Sequence, residues 1–354
     1  MAYNWKQAKK IYILGIGGIG VSAVARLLVS LGQVVSGSND NESEVTKNLV
    51  EEGIKVDLGQ RLDFIPTDTD LIIYSNAIKI ASPEFFAAVQ ALNVTTLSYP
   101  EMLGLISADY YTIAVAGTHG KTTTTAMIAK VMTEAGLDPT VIVGTLLLDT
   151  PNGRRTNFVV GKSQYLIVEA DEYQRAFLNL SPKILVVTNI DLDHLDYYHD
   201  LADIQSAFSE LVAKVPVAGS IIANITQVNL VPVLTAAKAK IIDYSQLGGE
   251  ASKLSLQVPG QHNIYNAKAA LGVAQVLGVE MATAVEALNK FSGTWRRFEF
   301  KGQTTSGALV YDDYAHNPPK VKAALQGARE AFPDKKSVEI FKSAILEFKK
   351  EIMD

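Results

Sequence analysis

AVAGTHGKTTTTAMIAKVM, residues 114–132, sets glycines, a lysine and a row of hydroxyls between an apolar run and a helical pattern. The full phosphate-loop pattern G-x-x-x-x-G-K-[ST] is not met, because Val115 stands at its first glycine position. What remains is Gly117, Thr118, His119, Gly120, Lys121, Thr122 and Thr123, placed between a predicted strand and a predicted helix. In that context backbone N–H groups and the helix N-terminus attract phosphate oxygens, and Lys121 supplies a point charge. Thr122 or Thr123 can reach a magnesium ion. His119 either touches phosphate or points to solvent. The competing reading is a Gly/Thr-rich turn with an exposed lysine.

Upstream, IYILGIGGIGVSAVARLL, residues 11–28, carries a loop of another design. Gly15-Ile16-Gly17-Gly18-Ile19-Gly20 satisfies G-x-G-x-x-G between strand and helix, which suggests a diphosphate cradle. A nicotinamide site would place an acid at the end of the next strand, but that end reads Ser36-Gly37-Ser38-Asn39. A dinucleotide oxidoreductase is therefore disfavoured, and the kinase-like loop downstream disfavours it further.

Around these loops the pattern alternates. Residues 10–16, QVVSGS and DLIIYSNAI read as strands; Val21–Leu31, Glu44–Glu52 and SPEFFAAVQAL read as helices, the last entered through Pro83 at its tolerated first position. YYTIAVAG, QYLIVEA, KILVVTNI and GSIIANI read as further strands, and NIYNAKAALGVAQVLG as a helix. ALVYDDYAHNP is a strand and loop, followed by a helix over Pro319–Ala331. Alternation of this kind predicts α/β units with parallel sheets. The expected division is 1–107, 108–298 and 299–354, the third unit being incomplete. In the tail, Val338, Phe341, Ile345, Phe348 and Ile352 recur at helical spacing and predict a helix over about Ser337–Ile352.

Strand ends supply the remaining chemistry. IVEADEY sets Glu169, Asp171 and Glu172 at the C-terminal end of one strand, and TNIDLDHLDYYHD sets Asp191, Asp193 and His194 at another. A carboxylate and an imidazole can share a hard cation with phosphate and water, so Glu169 and His194 are read as metal ligands. Asp196 and His199 read as a solvated loop. Arg296-Arg297 is a surface pair or a phosphate fork.

The chain has 354 residues, 48% hydrophobic and 19% charged, enough for two or three cored domains. A net charge of −5 argues against a nucleic-acid or anionic-membrane surface. Without cysteine there is no disulfide, thiolate metal site or thiol nucleophile. Lys6, Lys9 and Lys10 before an apolar run mimic a signal peptide, but the glycines within that run would break its helix. The expectation is a soluble, cytoplasmic protein with no predicted oligomer.

GTHGKTTTT, EADEY, TNIDLDHLDYY, PGQHNIYNAKAA, WRRF and DDYAHNP, in this order, resemble the Mur ligases, ATP-dependent amide-forming enzymes of peptidoglycan precursor synthesis. The resemblance implies an N-terminal Rossmann-like UDP-sugar domain, a central P-loop-type ATPase domain and a C-terminal α/β domain for the incoming amino acid. It implies ATP and Mg²⁺ as cofactors. By resemblance Gly17, Gly18, Ile19, Gly20, Ser38 and Ser75 serve the UDP-sugar. Thr122 and Glu169 bind one Mg²⁺ and His194 a second, with Lys121, Glu169 and His194 carrying catalysis. Asn263 meets adenine, Arg297 the phosphates, and Asp312 or Asp313 the ribose. GIGGIGVSAVARLL with VSGSN matches best the member that joins L-alanine to UDP-N-acetylmuramate. The alternatives are the member that returns a tripeptide to the same sugar nucleotide, and a binding remnant unable to ligate. Asn39 and Gln60 depart from the family's usual aspartate and histidine, and the residues after AFPDKK are far fewer than the family's third domain needs.

Overall fold

The computed structural model describes residues 3–148, 155–315 and 318–335. The first unit is a five-stranded sheet of β1 (Lys10–Leu14), β2 (Val34–Asn39), β3 (Lys55–Leu58), β4 (Leu71–Tyr74) and β5 (Thr95–Ser98), in the order β3–β2–β1–β4–β5. All its pairings are parallel. The order reverses between β1 and β4, so the carboxyl ends of those strands open a crevice where α/β sheets take ligands.

The central unit is a seven-stranded sheet of β6 (Tyr111–Ala116), β7 (Thr140–Leu147), β8 (Thr156–Val159), β9 (Tyr165–Glu169), β10 (Ile184–Val187), β11 (Ser220–Ala223) and β12 (Lys240–Asp243). Its order is β12–β11–β10–β6–β9–β7–β8, and only the β7–β8 pairing is antiparallel. Continuous apolar runs such as IAVA and ILVV suit strands covered on both faces. Their side chains alternate between two cores. Ile113, Val115, Ile184 and Val186 pack with the helices Lys121–Glu134, Gln261–Val276 and Met281–Asn289. Ala114, Ala116, Leu185 and Val187 join a core that includes Phe208 and Leu211 and continues into the first unit through Met102, Ile106, Leu27 and Ile13. The first two units thus share one apolar core.

The third unit, in its described part, is an antiparallel hairpin of β13 (Glu299–Gln303) and β14 (Leu309–Asp312) followed by the helix Pro318–Ala331. The helix expected over Ser337–Ile352 lies outside the described residues.

Several local expectations shift. The first strand stops at Leu14, because Gly15 turns with φ +75°, and the following helix begins at Ile19 rather than Val21. DLIIYSNAI is extended only to Tyr74; Asn76–Ala81 is helical, with Ser75 as its N-cap. Strands β3, β5, β7, β8, β12 and β13 are additions to the strands read from sequence. Among the described residues no helix is long and apolar enough to cross a membrane.

Candidate active site

The loop after β6 is pinned by β10. His119 N donates to Asn189 Oδ1 at 2.8 Å, Asn189 Nδ2 donates back to His119 O at 2.9 Å, and Thr188 Oγ1 donates to the same carbonyl at 2.6 Å. Thr118 Oγ1 donates to Asp191 O at 3.2 Å and accepts from Asp191 N at 2.9 Å. Gly117 has φ +137°, and a Cβ there would fall 2.0 Å from Thr188 Oγ1, so no side chain fits. Gly120, in the left-handed region, caps the helix that starts at Lys121. The loop is therefore a preformed turn aimed at a helix N-terminus.

Lys121 Nζ donates to Gly117 O at 2.6 Å and to Glu172 Oε1 at 2.9 Å, and lies 2.7 Å from Glu172 Oε2. Glu172 is buried. Burial pushes its carboxyl up, but Lys121 and His194 outweigh that and hold it below its ordinary value. His194 Nε2 sits 3.5 Å from Glu172 Oε1, and this contact raises the imidazole's pKa. The Tyr173 ring stands 5.0 Å from that imidazole.

Nearer the cavity, Thr122 Oγ1 donates to Glu169 Oε1 at 2.8 Å, while Gly144 N donates to Glu169 Oε2 at 2.8 Å. Thr122 and Glu169 offer adjacent hard oxygens, a donor set that fits a magnesium ion. Asp171, Glu172 and His194 bring ligand atoms within 4.8 Å of one another, a second donor set that fits a cation. The structure thus separates Thr122 and Glu169 from His194, whose partners are Glu172 and Asp171.

Thr118, His119, Gly120, Lys121, Thr122, Thr123 and Glu169 line one cavity of about 630 Å³ with Asn263, Arg297 and Asp313. That volume lies within the usual range for small-ligand sites, roughly 300–1,000 Å³. Asn263 is buried and held by Pro259 O at 2.6 Å and Asn266. The arginine pair divides: Arg297 lines the cavity, and Arg296 Nε lies 3.3 Å from Asp312. Asp312 is not among the lining residues; Asp313 is, accepting from Phe298 N and Ala315 N at 2.8 Å each. Burial lowers the basicity of His119 and His262 in the same walls. Asp196 and His199 are exposed, as their reading as a solvated loop requires.

The first loop lies apart. Gly15 N and Ile16 N donate to Ser38 O at 2.9 and 3.0 Å, and Ser75 N donates to Leu14 O at 3.0 Å. Gly17 N donates to Asn39 Oδ1 at 3.1 Å, so asparagine supplies the acceptor that an aspartate would. Ser38 Oγ donates to Gln60 Oε1 at 2.9 Å. A Cβ on Gly20 would lie 2.4 Å from the Tyr99 hydroxyl. Gly17, Gly18, Ile19, Gly20, Ser38 and Ser75 therefore gather at the ends of β1, β2 and β4.

Sequence reasoning passed over Glu172 as the partner of Lys121, although EADEY displays it. It also passed over Asn189, His262 and Lys320, whose positions follow only from chain folding.

A phosphate-type loop backed by a parallel sheet, with carboxylates at the neighbouring strand ends, defines an α/β nucleotide-binding protein equipped for phosphoryl transfer. The family models narrow the class: Mur ligase family, catalytic domain, matches residues 10–111; Mur ligase middle domain matches 115–252; Mur ligase, glutamate ligase domain, matches 296–350. The chain belongs to the Mur ligase family, and is thus an ATP-dependent ligase. It is 36% identical to UDP-N-acetylmuramate–L-alanine ligase of Syntrophobacter fumaroxidans, over 95% of this chain and 76% of that protein. The crystal structure of UDP-N-acetylmuramate-alanine ligase from Thermotoga maritima superposes with TM-score 0.77 at 30% identity, covering 92% of this chain and 79% of that one. The murein peptide ligase of Psychrobacter arcticus gives TM-score 0.77 at 27% identity, over 95% and 81%.

Proposed function

We propose that this chain joins L-alanine to UDP-N-acetylmuramate at the expense of ATP, in peptidoglycan precursor synthesis. The observation that carries the reading is the single cavity uniting Thr118–Thr123 with Glu169, Arg297 and Asp313, in a chain whose curated relatives have that activity by name. The sugar's lactyl carboxylate attacks the γ-phosphorus, ADP leaves, and an acyl phosphate forms. The amine of L-alanine, once deprotonated, attacks the acyl carbon and phosphate departs, leaving the amide.

In this reading Lys121 and the loop N–H groups hold the phosphates and stabilise charge on the transferring group. Arg297 contacts phosphate from the opposite wall, Asn263 meets adenine, and Asp313, rather than Asp312, meets the ribose. Mg²⁺, held at Thr122 and Glu169 and at His194, would neutralise phosphate charge and polarise the acceptor carboxylate. Gly17–Gly20, Ser38 and Ser75 hold the UDP-sugar. The three functional units divide at 107/108, in the last turn of the helix Tyr99–Ala108, and at 298/299, where β13 begins. ATP and a UDP-sugar as substrates fit a cytoplasmic reaction.

Phosphate release with UDP-N-acetylmuramate and ATP tests this, with L-alanine present or absent. Release that depends on L-alanine is expected. Release driven by a tripeptide but not by L-alanine would move the chain to the recycling activity, which the peptide-ligase fold match keeps in view.

A further inference from the structure

Lys320 belongs to the helix Pro318–Ala331 of the third unit, yet its side chain lines the central cavity with the loop Thr118–Thr123. Its ammonium lies 3.5 Å from Asp193 Oδ2, and its side chain keeps only 20% of its exposure. That pair is long beside a normal charge-assisted contact of roughly 2.7–2.9 Å. Asp193 has its own anchor, accepting from His194 N at 2.9 Å.

The surroundings fix which end of the cavity Lys320 occupies. The charges of Lys121 and Arg297 both act on Lys320, and the charge of Lys320 acts on His119. Three cations from distant segments therefore converge where a triphosphate would end. Burial and like charges each disfavour an ammonium in the free protein, and both penalties fall when a multiply charged anion arrives. Lys121 pairs with Glu172 at 2.7 Å, and Lys320 with Asp193 at 3.5 Å.

We propose that Lys320 is a phosphate-contacting residue that recognises the terminal phosphate of the bound nucleotide, so that the third unit reads triphosphate against diphosphate. This rests on the ATP-dependent reading above and adds a residue to it. Lys320 exchanges the long contact to Asp193 for a γ-phosphate oxygen, which ties the third-unit helix to the nucleotide.

The test measures affinity of the full chain, with Mg²⁺, for a non-hydrolysable ATP analogue and for ADP, in wild type, Lys320→Met and Lys320→Arg. Lys320→Met should weaken the triphosphate analogue by about tenfold, the loss of one charged hydrogen bond, and ADP by less than about twofold. Lys320→Arg should restore most of the difference. Equal weakening of both nucleotides would mean that Lys320 only ties the helix to its neighbour, and would overturn the proposal. So would unchanged affinities. If wild type itself binds neither nucleotide, the ATP-dependent reading falls and carries this proposal with it; wild-type binding with an indifferent Lys320→Met sinks this proposal alone.

Discussion

At the scale of single residues the tightest arrangement is Lys121 on Glu172, with side chains 14% and 3% exposed. Removing one partner of such a pair strands a buried charge, which costs on the order of 3–5 kcal/mol. Glu172→Gln should therefore lower the unfolding temperature of the nucleotide-free protein. In the proposed reading ATP supplies phosphate oxygens to Lys121, so the variant should gain more thermal stability from ATP than wild type does. Equal ATP-induced shifts in a melting experiment would contradict the exchange of partners. The histidines of the same loop give a second contrast. His194 reaches Glu172 at 3.5 Å under the Tyr173 ring, whereas the only described contact of exposed His199 is its backbone N–H on Asp203. His194→Ala should cut turnover by roughly 10–100-fold and change its Mg²⁺ dependence, as loss of a ligand-shell group does. His199→Ala should leave both near wild type. Steady-state rates across a Mg²⁺ titration decide between them.

At the scale of elements, legibility followed burial. β1, β4, β6, β9, β10 and β11 were readable because dense apolar runs mark interior strands. β3, β5, β8 and β12 lie at sheet edges, need only one covered face, and carry residues such as Lys55, Thr95 and Lys240 that blur the pattern. β7 is interior, but Gly144 interrupts it, and the reason for that glycine is long-range: a Cβ there would fall 2.9 Å from Glu169 Oε2. The site shows the same division. Loop residues adjacent in sequence announced themselves, while Lys121–Glu172 and Lys320–Asp193 depend on which strand ends and helices meet. The exit from the central unit is another such place. Arg296 and Phe298 take φ of +55° and +50°, and buried Glu299 accepts from Arg296 N at 3.0 Å and pairs with Arg155 at 2.7 Å and Lys301 at 3.2 Å. Burial opposes ionisation of Glu299, but those contacts win and hold its carboxyl below the ordinary value. A depressed carboxyl contributes stability that is full above its unfolded value and lost as pH falls through the folded one. The melting-temperature gap between wild type and Glu299→Gln should be constant from about pH 8 to about pH 5 and close below that. A gap independent of pH down to about 3 would remove charge from the account.

At the scale of the whole molecule, two phosphate-type loops open from two sheets that share one apolar core. Shared packing could couple the loops, but their anchors are separate. The first is held by Ser38 and Asn39, with Asn157 of β8 donating to Ile19 O at the helix start; the second is held by Thr188, Asn189 and Asp191. Each should therefore fail alone. Gly20→Ala places a methyl group 2.4 Å from the Tyr99 hydroxyl, and either Tyr99 or the helix start must move. That disturbs the N–H groups proposed to hold the sugar nucleotide, while the hydrogen bonds of the β6 loop to Thr188, Asn189 and Asp191 do not involve it. Lys121→Ala removes a cation from the ATP cavity, with no described contact to the first loop. Calorimetry of the full chain should show Gly20→Ala weakening UDP-N-acetylmuramate by about tenfold or more with ATP affinity kept, and Lys121→Ala the reverse; a charged hydrogen bond or a distorted anion cradle is worth that much. Turnover should fall in both, because phosphoryl transfer needs both ligands. The shared core sets the limit of this independence: a substitution there, such as Met102→Ala, leaves a cavity and should lower the melting temperature without favouring either ligand. If Gly20→Ala instead weakened ATP as strongly as the sugar nucleotide, the loops would be coupled through that core, and the division of ligands between the sheets would be wrong.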